Sequence, residues 1–487
     1  MHRINSSCKL SVLLFFILNA AASVQSFAQS SNTSSPYSRY GVGDLAGKGF
    51  AQGFAMGGTH IALQNDTTQL FFINSGNPAA LANVRLTTAE LGLNYSGVQL
   101  TNSTTKQKVH NASLAYVSLN FPVTKWWGSS IGLLPYSSVG YAISDHNTLK
   151  STGEVEYLYE GSGGINQLYF GNAVKPLYGL PSAFRNSKKY TKLLEEKKYA
   201  EIRRMMNRRK RAQGLSLGFN AAYLFGNIEH SKRSIFQPKV VALNTHSTTS
   251  TRISNAYFDY GIQYSFTIDS LNGRDLEQNV KLMVGATFTA QTNVHAKVDT
   301  LTYSYYYGTS GEEIWRDTIK QSKDNKGSIT FPLSFGFGVG FKKGSKWLVT
   351  ADFAMQNWSS FQAFNMNQGL KNSMRVSAGV QYVPNAGYIP KKALDGYAKK
   401  INYRAGVRYA KTALELKNTQ LNEYALSLGV GLPVGTIYML QTFSMVNIGV
   451  EFGQRGTTSN GLIRENFLKA SVGFTINDKW FGRARID

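Results

Sequence analysis

The feature that most constrains this chain is a two-residue hydropathy period in which one side is large and oily and the other is small. In 256–269, Ala256, Phe258, Tyr260, Ile262, Tyr264, Phe266 and Ile268 alternate with Tyr257, Asp259, Gly261, Gln263, Ser265, Thr267 and Asp269. In 329–341, Ile329, Phe331, Leu333, Phe335, Phe337, Val339 and Phe341 alternate with Thr330, Pro332, Ser334 and the glycines 336, 338 and 340. The same alternation runs through 374–382, 446–452 and 468–476. Side chains of a strand point alternately to its two faces, so each stretch is a strand with an aromatic face and a glycine–serine face. One such strand also fits a soluble sandwich. A whole series, each with a large apolar face opposite a sparse polar one, fits a barrel that is apolar toward lipid and polar within.

Fourteen segments carry the pattern: 86–101, 111–124, 129–144, 164–177, 215–230, 256–269, 279–307, 328–343, 346–360, 372–385, 401–417, 422–435, 443–456 and 463–477. The expected fold is therefore all-β, a transmembrane antiparallel barrel of fourteen strands over 86–477. An even count puts both chain ends on one side. Alternating the connections then assigns Thr124–Gly128, Ser270–Asn279, Lys343–Lys346 and Gly435–Gln441 to periplasmic turns. It assigns 145–163, 231–255 and 308–327 to longer outside loops. Trp126, Trp127, Trp347, Trp480 and Phe481 fall at the periplasmic rim, where an interfacial aromatic girdle belongs.

Charged residues are 16% of the chain, below the roughly 25% of soluble proteins. Arg3 and Lys9, the apolar run Leu10–Ala22 and Ser26-Phe27-Ala28 form a signal peptide over 1–28, which directs export to the outer membrane of a Gram-negative cell. No later stretch has 18 consecutive apolar residues, so no spanning helix is expected. Cys8 is the only cysteine and lies in the leader. The mature chain then has no thiol for disulfides, metal sites or nucleophilic attack. The histidines His60, His110, His146, His230, His246 and His295 form no His-x-x-x-His pair. No Gly-x-Ser-x-Gly elbow or phosphate loop occurs. No catalytic residue, metal or cofactor is expected, and the chain is read as a non-enzyme. The formal charge of +24 is clustered rather than arrayed on one surface, and no nucleic-acid module accompanies it.

Residues 29–85 do not alternate. They contain Pro36-Tyr37-Ser38-Arg39-Tyr40-Gly41-Val42-Gly43-Asp44-Leu45, then Met56-Gly57-Gly58-Thr59, then Asn77-Pro78-Ala79-Ala80-Leu81. Pro78 presets φ and Asn77 can bond its own backbone, which makes a compact turn. Gly57 and Gly58 permit close packing. This order, followed by fourteen strands, resembles the FadL-type outer-membrane family that transports fatty acids and other hydrophobic compounds. The Tyr-Ser-Arg-Tyr-Gly start, Pro135-Tyr136-Ser137-Ser138 and the Trp480-Phe481 ending are similar to a Bacteroidetes branch. The resemblance implies that 29–85 is a hatch inside the barrel, with Met56, Gly57, Gly58, Asn77, Pro78 and Ala79 as its motif. It also implies a kinked third strand that opens sideways into the bilayer. Pro135 and Gly140 mark that exit, because proline within a wall strand removes a ladder hydrogen bond and bends the strand. Among the lumen-side charges Asp259, Asp352, Arg375, Arg404, Arg408 and Glu451, an arginine at 375, 404 or 408 can hold a carboxylate head group bidentately. An ion-pair network is the alternative for the same residues.

One segment lies outside the pattern. Residues 178–214 form an insert with twelve Lys/Arg and three Glu between Arg185 and Arg211, net +9. Lys188 to Gln213 has no glycine or proline and carries a ragged apolar stripe at Tyr190, Leu193, Leu194, Tyr199, Ile202, Met205 and Met206. It is expected to be a basic amphipathic helix in the periplasm. Lys391, Lys392, Lys399 and Lys400, with Lys479, Arg483 and Arg485 of the tail 478–487, extend the charge on the same side. The partner expected at 185–211 is anionic lipid or an acidic periplasmic protein. The functional expectation is passive uptake of a hydrophobic, long-chain fatty-acid-like molecule through the hatch-gated barrel, with membrane lipid as surroundings. The alternative is a non-transporting barrel that joins a periplasmic or secretion assembly through the insert.

Overall fold

The computed structural model describes residues 35–65, 72–150, 153–237, 242–268, 279–384, 397–437 and 442–478. Fourteen strands form one closed antiparallel wall. They are β1 (Thr87–Thr101), β2 (Lys106–Pro122), β3 (Trp127–Ser138 continued by Tyr141–Leu149), β4 (Gly153–Val174), β5 (Leu215–Phe236) and β6 (Asn244–Ile268). Next come β7 (Val280–Thr289 continued by Thr292–Tyr307) and β8 (Glu313–Phe331 continued by Ser334–Lys343). The wall is completed by β9 (Trp347–Gln356), β10 (Ser373–Tyr382), β11 (Asn402–Leu416), β12 (Thr419–Ile437), β13 (Thr442–Arg455) and β14 (Arg464–Asp478). Each pairs with its sequence neighbour. β14 returns to β1 from Thr87–Asp478 to Thr101–Arg464, so no edge is left in the closed part.

The alternation decides which side faces out. Phe258, Tyr260, Ile262, Phe335, Phe337, Val339, Val376 and Phe474 are all exposed. Their neighbours Gln263, Thr350, Ser377, Ser427 and Asn447 are buried within. Burying hydrophobic side chains outward makes sense only against lipid. No helix among the described residues is long and apolar enough to cross a membrane. Trp126, Trp127 and Trp347 stand exposed at the end with the short turns, with the Trp347 ring 4.4 Å from that of Tyr382. Trp480 and Phe481, the leader, the lysines at 391, 392 and 479, the tail arginines and most of two expected periplasmic turns lie outside the described residues.

Two sequence expectations need correction. The expected outside loops are largely strand. Residues 141–149 pair with 153–161, 244–253 pair with 296–305, and 313–331 pair with β7. Residues 244–252 are polar on both faces, so hydropathy gives no alternation there. Their threonine-rich backbone is nevertheless suited to strand. β4 and β6 accordingly run 22 and 25 residues, about twice what a bilayer requires. The insert, in turn, is three helices rather than one: α1 (Leu180–Arg185), α2 (Lys188–Glu195) and α3 (Tyr199–Ala212). Ser187 starts α2 by accepting the Tyr190 amide, and Lys197 adopts a left-handed φ of 52° that ends the run.

Candidate functional site

Residues 35–65 and 72–86 pack on the inner face of the wall, and the wall glycines explain how. A Cβ built on Gly406 would lie 2.2 Å from the Gly57 amide nitrogen, and one on Gly379 2.5 Å from Met56. On the opposite wall, a Cβ on Gly218 would meet Pro78 at 2.5 Å and one on Gly261 would meet Asn77 at 2.1 Å. Gly285 and Gly338 leave space for Ile61 in the same way. These inward glycines form a seat around the barrel in which the N-terminal segment touches the wall directly. The segment's own glycines matter for a different reason. Gly57 and Gly58 have φ of 72° and 81°, which turn the chain at the wall.

Polar bonds fix the seated segment. Asp352 on β9 accepts the amides of His60 (2.6 Å) and Ile61 (2.9 Å). Asn77 caps the short helical turn Pro78–Asn83 by accepting the Ala79 amide at 3.1 Å, and its Nδ2 donates to the Ile61 carbonyl at 2.7 Å. Thus Asn77, Pro78 and Ala79 tie one half of the hatch to the other, while Met56 sits between Gly379 and Gly406. The Phe50 ring stacks on Tyr116 at 3.8 Å, and the Tyr116 hydroxyl accepts the Ala51 amide at 3.1 Å. Replacing Tyr116→Phe should cost about 1–3 kcal/mol, because a buried amide loses its acceptor. Chemical denaturation of the refolded barrel, compared with Tyr116→Phe in a chain lacking the hatch, isolates that loss.

The three arginines are not equivalent. Arg408 donates to Glu423 (2.7 Å) and Glu451 (2.8 Å), and Arg404 donates to Gln381 (2.8 Å) and Asn447 (2.7 Å). Both are engaged by protein partners. Arg375 on β10 interacts with Asp352, Glu423 and Glu451 at longer range and is partly exposed. Above this charged layer the lumen is apolar. Tyr136 stacks on Phe331 at 5.4 Å, and Val139, Ile165, Leu224, Ile253 and Val294 are buried around them. The connection between β9 and β10 turns inward and adds Trp358, Phe361 and Leu370 to this cluster. Its Gln362 and Ala363 pair with Thr330 and Ile329.

Between β2 and β3 the wall is incomplete. β2 and β3 pair only from Pro122–Gly128 to Val117–Leu133. Beyond that β3 shifts register at Pro135 and breaks after Ser138, while β2 continues to pair with β1 as far as Lys106. Pro135 has no amide to donate, which accounts for the bulge. N-terminal residues pair with β3 at this break. Asp44 and Leu45 form a two-residue strand paired with Ser138 and Ser137, and the Gly140 amide donates to the Ser38 hydroxyl at 3.0 Å. The other end of this segment is tied to β13 and β14. Arg455 donates to Asp44 (2.8 and 3.2 Å), to Glu465 (2.6 Å) and to the Ser35 hydroxyl (2.7 Å). Residues 35–46 are therefore a strap across the inside of the gap. A cleft of about 460 Å³ opens beside it, lined by Leu100, Val109, Tyr141, Glu160, Arg233 and His246. The strap's anchor Arg455 was not legible in sequence, because its partners are 411 residues upstream and 10 downstream.

The fold is shared with solved barrels. The toluene transporter TodX of P. putida aligns over 90% of this chain and 100% of its own, with 13% identity and a TM-score of 0.53. A Pseudomonas aeruginosa FadL homologue aligns over 90% and 99%, with 11% identity and a TM-score of 0.49. No curated protein matches the sequence. A family model described as BamG matches residues 9–183 and 209–487, passing over α2 and most of α3 and taking in both the N-terminal segment and the whole wall, so the chain belongs to the BamG family.

Proposed function

We propose that this barrel resides in the outer membrane and passes an apolar, fatty-acid-like molecule from outside into the bilayer. The molecule would rest against the apolar upper lumen around Tyr136 and Phe331, with an acid group toward Arg375, the arginine least engaged by the protein. It would leave sideways between β2 and β3 when the strap 35–46 moves aside. What carries this reading is that the gap is closed by a two-residue strand and a serine rather than by wall pairing. Such a contact opens at far lower cost than a full ladder.

A disulfide tests it. Leu45 and Ser137 are register partners, and the mature chain has no other cysteine. With Leu45→Cys and Ser137→Cys oxidised, uptake of a fluorescent apolar tracer by cells should fall at least about tenfold and recover on reduction. Pro135→Val with Gly140→Val should block the same uptake while folding survives. Tracer entry that is indifferent to the lock overturns the exit.

One observation favours a second reading, a non-transporting barrel that serves as a subunit of an envelope assembly. The interior is occupied by the chain itself: hatch on a glycine seat below, self-packed apolar side chains above. Under that reading the disulfide lock leaves the cellular role intact.

A further inference from the structure

We infer that the helical insert binds the anionic phospholipid surface of the leaflet at the short-turn end of the barrel; this rests on the barrel being membrane-embedded, not on whether it transports. Two of the insert's apolar groups are used internally. Phe184 and Leu193 are buried, and the Arg209 guanidinium lies 4.1 Å above the Phe184 ring. What it presents outward is charge. Eleven of the twelve lysines and arginines between Arg185 and Arg211 are exposed. Of the three glutamates there, Glu196 already pairs with Lys198 at 2.7 Å.

Its position selects lipid over a soluble acidic protein. The chain enters the insert at Lys175, whose amide donates to the carbonyl of Trp126 (2.8 Å), and leaves at Gly214, whose carbonyl accepts the Ser265 amide (3.1 Å). Both feet stand at the level of the indole girdle. α3 also touches the base of β6. A helix is about 10 Å across, about one Debye length at physiological salt, so cations on its near side keep most of their attraction to the headgroup plane while those on the far side are substantially screened. Cations on every exposed side, with Leu180, Leu194 and Tyr199 exposed among them, suit a diffuse anionic surface better than a shaped pocket.

The test uses the full chain in lipid nanodiscs with a spin label at Asn207→Cys, an exposed position on α3, and Cys8→Ser if the leader is retained. Replacing about a third of the zwitterionic lipid by phosphatidylglycerol should reduce the label's collision rate with an aqueous relaxant at least about threefold. That protection should vanish in about 0.5 M salt. It should also vanish when Arg203, Arg204, Arg208, Lys210 and Arg211 are all changed to glutamine, in a protein whose barrel keeps its heat-modifiable mobility. Equal accessibility in both lipid mixtures overturns the inference. So does protection that survives the glutamine changes, or that appears only when an acidic protein is added.

Discussion

Changing Arg455→Ala should destabilise the barrel by about 3–5 kcal/mol and free the strap 35–46. The reason is the number of acids that share this one cation. Asp44 takes two of its donors and Glu465 a third, and the Ser35 hydroxyl takes a fourth contact. The Glu465 side chain is 3% exposed and that of Asp44 24%, so deleting the guanidinium leaves at least one carboxylate buried without its counter-ion. Arg455→Lys should recover only part of the loss, since a point charge cannot serve a forked set of acceptors. Two measurements separate wall from strap. Denaturant midpoints report the whole, and labelling of Val42→Cys, buried behind the gap, reports the strap. Unchanged midpoints with Val42→Cys still protected would show that the strap is held by Ser38 and Asp44 pairing alone.

Changing Gly406→Leu should be of similar severity, with a cost of at least about 3 kcal/mol. The new side chain meets backbone, the Gly57 amide and the Met56 carbonyl carbon at 2.2 Å, and backbone in a left-handed turn cannot give way. The wall should close with the hatch unseated, which protease cleavage within 47–65 reveals. Gly97→Leu, where the nearest atom is a His110 ring nitrogen at 3.1 Å, should be far milder and controls for loss of strand flexibility. Comparable losses at both positions would mean that the seat contributes little.

The wall was legible because lipid imposes one rule on every strand. Phe258, Tyr260 and Ile262 announce an outward face regardless of where their neighbours in space come from, so fourteen segments could be placed one by one. The upper part of β6 escaped that rule, because Ser247, Thr248, Thr249 and Ser250 are polar on both faces and carry no hydropathy period. The insert was legible as basic and helical, but its division at Ser187 and Lys197 depends on a capping bond and a left-handed residue that composition does not reveal. Asn77-Pro78-Ala79 was visible as a turn. What it joins, the Ile61 carbonyl and the glycines of β5 and β6, is long-range geometry.

The uneven heights of the strands have a consequence at the long-strand end. Where β3 to β8 outgrow the other strands, the sheet is no longer a cylinder but a standing ribbon with two free borders. The border on β8, from Glu313 to Lys326, hydrogen-bonds only on its β7 side among the described residues. Bare strand borders invite a second chain to add on, and many proteins guard them with like charge. Arg316, Lys320, Lys323 and Lys326 are exposed along this border, and Asp324 breaks its regularity with a φ of 53°. The bend at Asp324 and the run of exposed charged side chains make this border a poor template for a second chain.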